Sequence, residues 1–138
     1  MTNTIRQKFA ALGRLFAVLR RKGSLRSGDR VLSNRDLYLR ISKVASGYDS
    51  LGLQEDDCVA VMLRNDFAFF EACMAATVVG AYAVPVNWHN TADEVAYILG
   101  DCEAKVLVIH ADLLIKVRSE LSPEIRLLVV ETQANFWR

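Results

Sequence analysis

The residues with chemistry to offer are concentrated in one stretch, Val84 to Glu94, which reads VPVNWHNTADE. His89 has the type needed for a general base or a metal ligand. Trp88 could stack on a planar group, and Asn87 and Asn90 carry amides that fix hydrogen bonds. Thr91, Asp93 and Glu94 add a hydroxyl and two carboxylates. Each catalytic role needs a partner at the right spacing. The other histidine, His110, lies about twenty residues on, and no H-x-x-x-H, H-E-x-x-H or C-x-x-C pattern accompanies either. Metal binding is therefore not expected. Phosphate cradles of the G-x-G-x-x-G or G-x-x-x-x-G-K-[ST] kind are absent, as is a G-x-S-x-G nucleophile elbow. The seven glycines, at 13, 23, 28, 47, 52, 80 and 100, stand apart. The pair Asp56–Asp57 reads as solvent-facing loop acids. No catalytic, cofactor-binding or metal-binding residue is expected in the chain.

Three of the groups in the opening stretch have a structural use. Thr91 and Glu94 match the T-x-x-E capping box, in which the hydroxyl accepts from the N–H three residues on and the carboxylate reaches back. Asp93 and Glu94 also sit in a first helical turn, where the helix dipole favours negative charge. Val95, Ile98 and Leu99 supply the inward face of that helix, and Gly100 is expected to stop it. The remaining residues, Asn87 to Asn90, form a strand-to-helix loop. Such loops lie just beyond strand ends, where parallel α/β sheets bind ligands, so this one is placed to line a pocket.

The flanking elements follow from periodicity. Residues 24–33 predict a short hairpin turning at Gly28–Asp29. Residues 34–50 predict a helix with an apolar face of Leu37, Ile41, Val44, Ala45 and Tyr48. Ser33 and Asp36 form an Asp variant of the capping box at its start, and Gly52 lies past its end. The apolar runs Cys58 to Leu63, Tyr82 to Val86 and Lys105 to His110 predict buried strands, as in parallel sheets, and Arg126 to Glu131 predicts a fourth strand. Helices fill the spaces, over 66–79 and 111–120. The segment Phe67 to Val86 approaches the length of a membrane span, but Gly80 and Pro85 divide it into a buried helix, a stop and a buried strand. Strands alternating with helices predict an α/β fold, a partial parallel sheet flanked by helices. The expected organisation is an amphipathic helix over 1–23, an α/β unit over 24–131 and a tail over 132–138.

Composition and charge narrow the function classes. With 52% hydrophobic and 24% charged residues in 138, the chain is expected to fold as one domain or part of one. Residues 1–28 contain seven basic side chains and no acid, while the remainder has ten basic and sixteen acidic ones. Nucleic-acid binders spread positive charge over a folded face, so no nucleic-acid partner is expected. Within residues 3–21, Ile5, Phe9, Leu12, Phe16 and Leu19 make an apolar stripe with arginines off it. This predicts a helix that either docks on its own domain or touches a membrane surface. Cys58, Cys73 and Cys102 sit apart in apolar contexts and are expected to be buried, reduced thiols, which suits a cytoplasmic location.

Three segments in order carry a resemblance. They are VLSNRDLYLRISKVASGYDSLGLQEDDCVAVMLRN, FFEACMAATVVGAYAVPVN and TADEVAYILGDCEAKVLVI. Over residues 32–109 the chain resembles the N-terminal part of the AMP-binding, adenylate-forming enzymes, and among these it is most similar to the fatty acyl-CoA synthetases. The resemblance implies the N-terminal portion of that family's large domain. It also implies a two-step reaction: a carboxylate is joined to AMP from ATP with release of pyrophosphate, then the acyl group passes to coenzyme A. ATP, Mg²⁺ and CoA are implied for the full-length family, with a carboxylic (fatty) acid as substrate. The phosphate loop, adenine motif, ribose-binding aspartate and C-terminal lysine of that family match no position in these 138 residues. The expectation is an N-terminal fragment of an ATP-dependent acyl-CoA synthetase, inactive alone, with exposed apolar patches, open strand edges, marginal stability and self-association. The alternative is a non-catalytic interaction module that pairs with a separate chain.

Overall fold

The computed structural model describes residues 22–132, together with Gly13 and Ala17. The predicted helix over 3–21 and the tail from 133 lie outside the described residues.

Strands β1 (Ser24–Ser27) and β2 (Arg30–Ser33) form an antiparallel hairpin, with Gly28 at φ +57° in its turn. Helix α1 (Asn34–Ser50) follows. The Ser33 hydroxyl accepts from the Asp36 N–H at 3.1 Å, and donates to the Asp36 carboxylate at 2.6 Å. Asp36 thus answers the hydroxyl rather than the Ser33 backbone, which makes half of the expected box. Then come β3 (Cys58–Met62), α2 (Phe67–Val79), β4 (Tyr82–Pro85), α3 (Ala92–Asp101), β5 (Ala104–His110) and α4 (Ala111–Val117). A 3₁₀ turn (Arg118–Glu120) and β6 (Arg126–Val130) complete the order. Gly80 stops α2 in the left-handed region, at φ +81°.

The four long-range strands form one parallel sheet in the order β4-β3-β5-β6. Alternate residues of the central strands feed two cores. Val59, Val61, Val106 and Val108 pack against α1 and α2 on one face. Ala60, Met62, Leu107 and Ile109 pack against α3 and α4 on the other. This double burial is what an apolar run without alternation requires.

Three expectations need correction. Gly100 does not stop α3, which runs to Asp101; Cys102 caps it and Glu103 takes the left-handed turn at φ +49°. The glycine is an exposed interior position with open space around its Cα. Strand β4 is not buried like β3 and β5: among the described residues it is a sheet edge, as is β6, and Tyr82, Leu127 and Val129 are exposed on these edges. The cysteines are half-buried, and Cys58 is close enough to Cys102 to share a hydrogen bond. Burial and that contact push the Cys58 thiol up to about 11.

Candidate functional site

The strand order contains a reversal. From β3 the chain crosses to β4 over the α2 face; from β4 it returns over the α3 face to β5, on the other side of β3. The loops leaving β3 and β5 therefore diverge to opposite faces, and a crevice opens between the carboxyl ends of these two strands. Ligands in open α/β sheets bind at such switch points.

Arg64 follows β3 and is 4% exposed. Its guanidinium grips Asp112, in the first turn of α4 beyond β5, with Nη1 donating to Oδ1 at 3.0 Å and Nη2 to Oδ2 at 2.5 Å. The Thr132 hydroxyl, just past β6, donates to Asp112 Oδ1 at 2.6 Å and accepts from the Asp112 N–H at 3.3 Å. The Arg64 N–H donates to His110 Nδ1 at 3.3 Å, so the imidazole proton sits on Nε2. The guanidinium also lies 5.2 Å over the Trp88 ring, within cation–π range. Three strand ends and the loop after β4 thus converge on one arginine.

The electrostatics follow from this geometry. The Arg64 hydrogen bond holds the Asp112 carboxyl well below the usual carboxylate range, with the Thr132 hydroxyl assisting against a desolvation penalty. Burial lowers the His110 pKa, and the adjacent Arg64 cation lowers it further. A neutral imidazole that accepts a backbone hydrogen bond beside a cation is a braced wall residue. Nearby, Arg30 Nη2 donates to Asp66 Oδ1 at 2.6 Å and stands 5.0 Å over the Phe67 ring. Burial pushes the Asp66 carboxyl up, and hydrogen bonds led by that from Arg30 more than offset it. Arg40 Nε lies 2.8 Å from Glu71 Oε1.

The loop that opened the sequence reading lies on this rim. Asn87 spends its Oδ1 on the His89 N–H at 3.0 Å, and its carbonyl accepts from the Asn90 N–H at 3.0 Å. Trp88 and His89 stack with ring centroids 3.5 Å apart at 32°. Trp88 is half-buried and His89 exposed. Thr91 and Glu94 form the expected capping box, with the Thr91 N–H donating to Glu94 Oε2 at 2.8 Å and the Glu94 N–H to Thr91 Oγ1 at 3.4 Å. Asp57, read as solvent-facing, is half-buried and accepts from the Gln54 N–H at 2.8 Å. The sequence reading missed Arg64, Asp112 and Thr132. Their one local signal was a polar residue within two positions of the end of each apolar run. Among the described residues no group of three His, Cys, Asp or Glu side chains is placed to hold a metal ion.

Comparison with known proteins places the chain in a family. The chain is 34% identical over 89 residues to the medium/long-chain-fatty-acid–CoA ligase FadD6 of Mycobacterium tuberculosis, a match covering 64% of the chain and 15% of the relative. It is 30% identical over 121 residues to the putative acyl–CoA ligase YdaB of Bacillus subtilis, covering 82% of the chain and 24% of the relative. The crystal structure of the anthranilate CoA ligase AuaEII with anthranoyl-AMP superposes with a TM-score of 0.76 at 25% identity, over 89% of the chain and 24% of that protein. The chain thus spans a quarter or less of each of these relatives. The model of the AMP-binding enzyme family matches residues 14–136. From that match the chain belongs to the AMP-binding enzyme family.

Proposed function

We propose that this chain is the N-terminal portion of an ATP-dependent acid–CoA ligase, that the acid is a fatty acid, and that residues 1–138 alone do not form acyl-adenylate. The observation that carries the reading is the state of the switch-point rim. Among the described residues its charges are used on one another: Arg64 on Asp112, Asp112 also on Thr132, and Arg30 on Asp66. A triphosphate needs preorganised N–H donors, cations or a cradling loop aimed at it. Here the rim braces a wall of the crevice. No residue is assigned to Mg²⁺, because the described acids form no cluster that fits it. In this family the metal screens phosphate charge during adenylation.

Similarity to FadD6 supports the fatty-acid choice, and the likeness to an anthranilate ligase marks aryl acids as the competing class. Among the described residues β4 and β6 are unpaired edges, which supports self-association of the isolated chain, and sedimentation velocity will register it.

Two measurements test the reading. ATP–pyrophosphate exchange by the purified chain with dodecanoate or benzoate is expected to stay at background, and saturable exchange overturns the claim of inactivity. Replacing the equivalent segment of FadD6 with residues 22–132 is expected to preserve dodecanoate activation. A folded chimera that activates benzoate but not dodecanoate overturns the fatty-acid assignment.

A further inference from the structure

Two of the three cysteines meet at the amino end of the sheet. Cys58 opens β3, and alternation along that strand places it with Ala60 and Met62, on the face that α3 and α4 cover. Its neighbour across the parallel pairing is Ala104, the first residue of β5. The ladder shifts between Cys58 and Val59 because Lys105 is an extra residue on β5, so β3 keeps its own alternation. Cys102 lies two residues before Ala104, at the C-cap of α3, and Glu103 between them takes the left-handed turn. Neighbouring strands stand about 4.8 Å apart, within the Cα spacing of about 4.4–6.8 Å that a disulfide spans. The two side chains share a hydrogen bond. The Cys102 thiol donates to the Leu99 carbonyl at 3.9 Å, which leaves Cys58 as the donor within the pair.

Both thiols are half-buried, so a small reagent in solvent reaches them. Neither belongs to the crevice. Arg64, His110 and Asp112 stand at the carboxyl ends of β3 and β5, and the two cysteines at the amino ends. The third cysteine, Cys73, is on α2 and packs against the core on the opposite face of the sheet. It is thus a thiol of the same chain that the fold keeps away from the pair.

We infer that Cys58 and Cys102 form a dithiol site that an external low-molecular-weight disulfide, RSSR, oxidises to an intramolecular disulfide in the folded chain. The inference goes beyond the ligase reading and does not depend on it. One cysteine, as thiolate, attacks a sulfur of RSSR, which forms a mixed disulfide and releases one RS⁻. The other then attacks the cysteine sulfur of that mixed disulfide and displaces the second RS⁻. The two cysteines give up two electrons and two protons, and the oxidant leaves as two RSH. The second step is intramolecular, so the neighbouring sulfur acts at high effective concentration even where burial slows its reaction with outside reagents. The new bond closes a loop that contains α2, β4 and α3. It restricts the unfolded chain and ties the end of α3 to β3 at the far end of the sheet from the crevice.

Treating the reduced full chain with bis(2-hydroxyethyl) disulfide tests this. Intact-mass spectrometry is expected to show a loss of about 2 Da, for two hydrogens, and non-reducing peptide mapping a Cys58–Cys102 link. Cys73→Ser is expected to behave as the parent does. Cys58→Ser and Cys102→Ser are expected to abolish the loss of two hydrogens while keeping the parent circular dichroism spectrum. Oxidation of the parent is expected to raise the melting temperature by about 5 °C or more, and dithiothreitol to return it to the starting value. The parent chain alone decides the matter if a serine variant fails to fold. No link in the folded chain, a link that forms only in urea, a link through Cys73, or an oxidised chain that melts no higher than the reduced one overturns the proposal.

Discussion

Arg64 and Asp112, 48 residues apart in sequence, close the gap between β3 and β5 with a two-pronged ion pair at 3.0 and 2.5 Å. The arginine is 4% exposed on its side chain and the aspartate 38%. Removing the aspartate leaves a buried cation with its strongest partner gone. Asp112→Ala is expected to lower unfolding free energy by about 2–3 kcal/mol, less than a fully buried pair because water reaches the carboxylate. Urea denaturation monitored by tryptophan fluorescence checks it, and a loss under half a kcal/mol refutes the brace.

His110 gives the protein an acid-sensitive joint. Its folded pKa lies below the ordinary histidine value, so the unfolded chain binds the extra proton first. Its contribution is complete above about pH 6.5 and is lost as pH falls through that value toward the folded pKa. Asp112 acts in the same direction lower down, being depressed too; its share is present above about pH 4 and disappears below. Stability is expected to fall from pH 7 to pH 5, and His110→Gln is expected to flatten that limb while leaving the steeper fall below pH 4. An equal slope in the variant removes His110 from the account.

Thr91 tests the reading of the opening loop. Thr91→Ala removes the acceptor for the Glu94 N–H and is expected to cost about 1 kcal/mol. A Ser replacement is expected to restore most of it. If Thr91→Ala is neutral by thermal melting, the capping box contributes nothing at this exposed site.

Gly100 points the other way. It occupies a helical position with empty space where a Cβ would go. Gly100→Ala is expected to stabilise by about 0.5–1 kcal/mol, since alanine loses less backbone entropy on folding. Gly80→Ala, at φ +81°, is expected to destabilise by about 1 kcal/mol. Parallel melts of the two variants should move in opposite directions.

Cys58 should be a slow thiol. With its pKa pushed up to about 11, it holds little thiolate at neutral pH. Iodoacetamide at pH 8 followed by peptide mass spectrometry is expected to label Cys58 far more slowly in the folded chain than in the denatured one.

Much of this architecture could be read beforehand because its determinants are local. The runs CVAVM and KVLVIH cannot be half-exposed strands, so they had to be central, and T-x-x-E announces a helix start whatever surrounds it. Which strands form the edges is a fact of pairing order, and the apolar composition of Tyr82–Pro85 and Arg126–Val130 does not encode it. Gly100 misled because a glycine near a helix end reads as a stop unless the next left-handed position, here Glu103, is known. The rim was illegible for the same reason: Arg64, His110, Asp112 and Thr132 come from three strand ends, and nothing near any of them names the others.

The detour through β4 has a further effect, on the order of events at the ribosome. Of the parallel strands β3 emerges first, and it acquires α2 and β4 within about thirty residues, a compact unit. Its other edge waits for β5, which leaves the exit tunnel seconds later at ordinary synthesis speeds. During that interval Val59, Val61 and Met62 sit in a half-built layer, and the arginine that will lock it has no aspartate to hold. Nascent chains paused between about residues 90 and 110 are therefore where a trigger-type chaperone should find this protein.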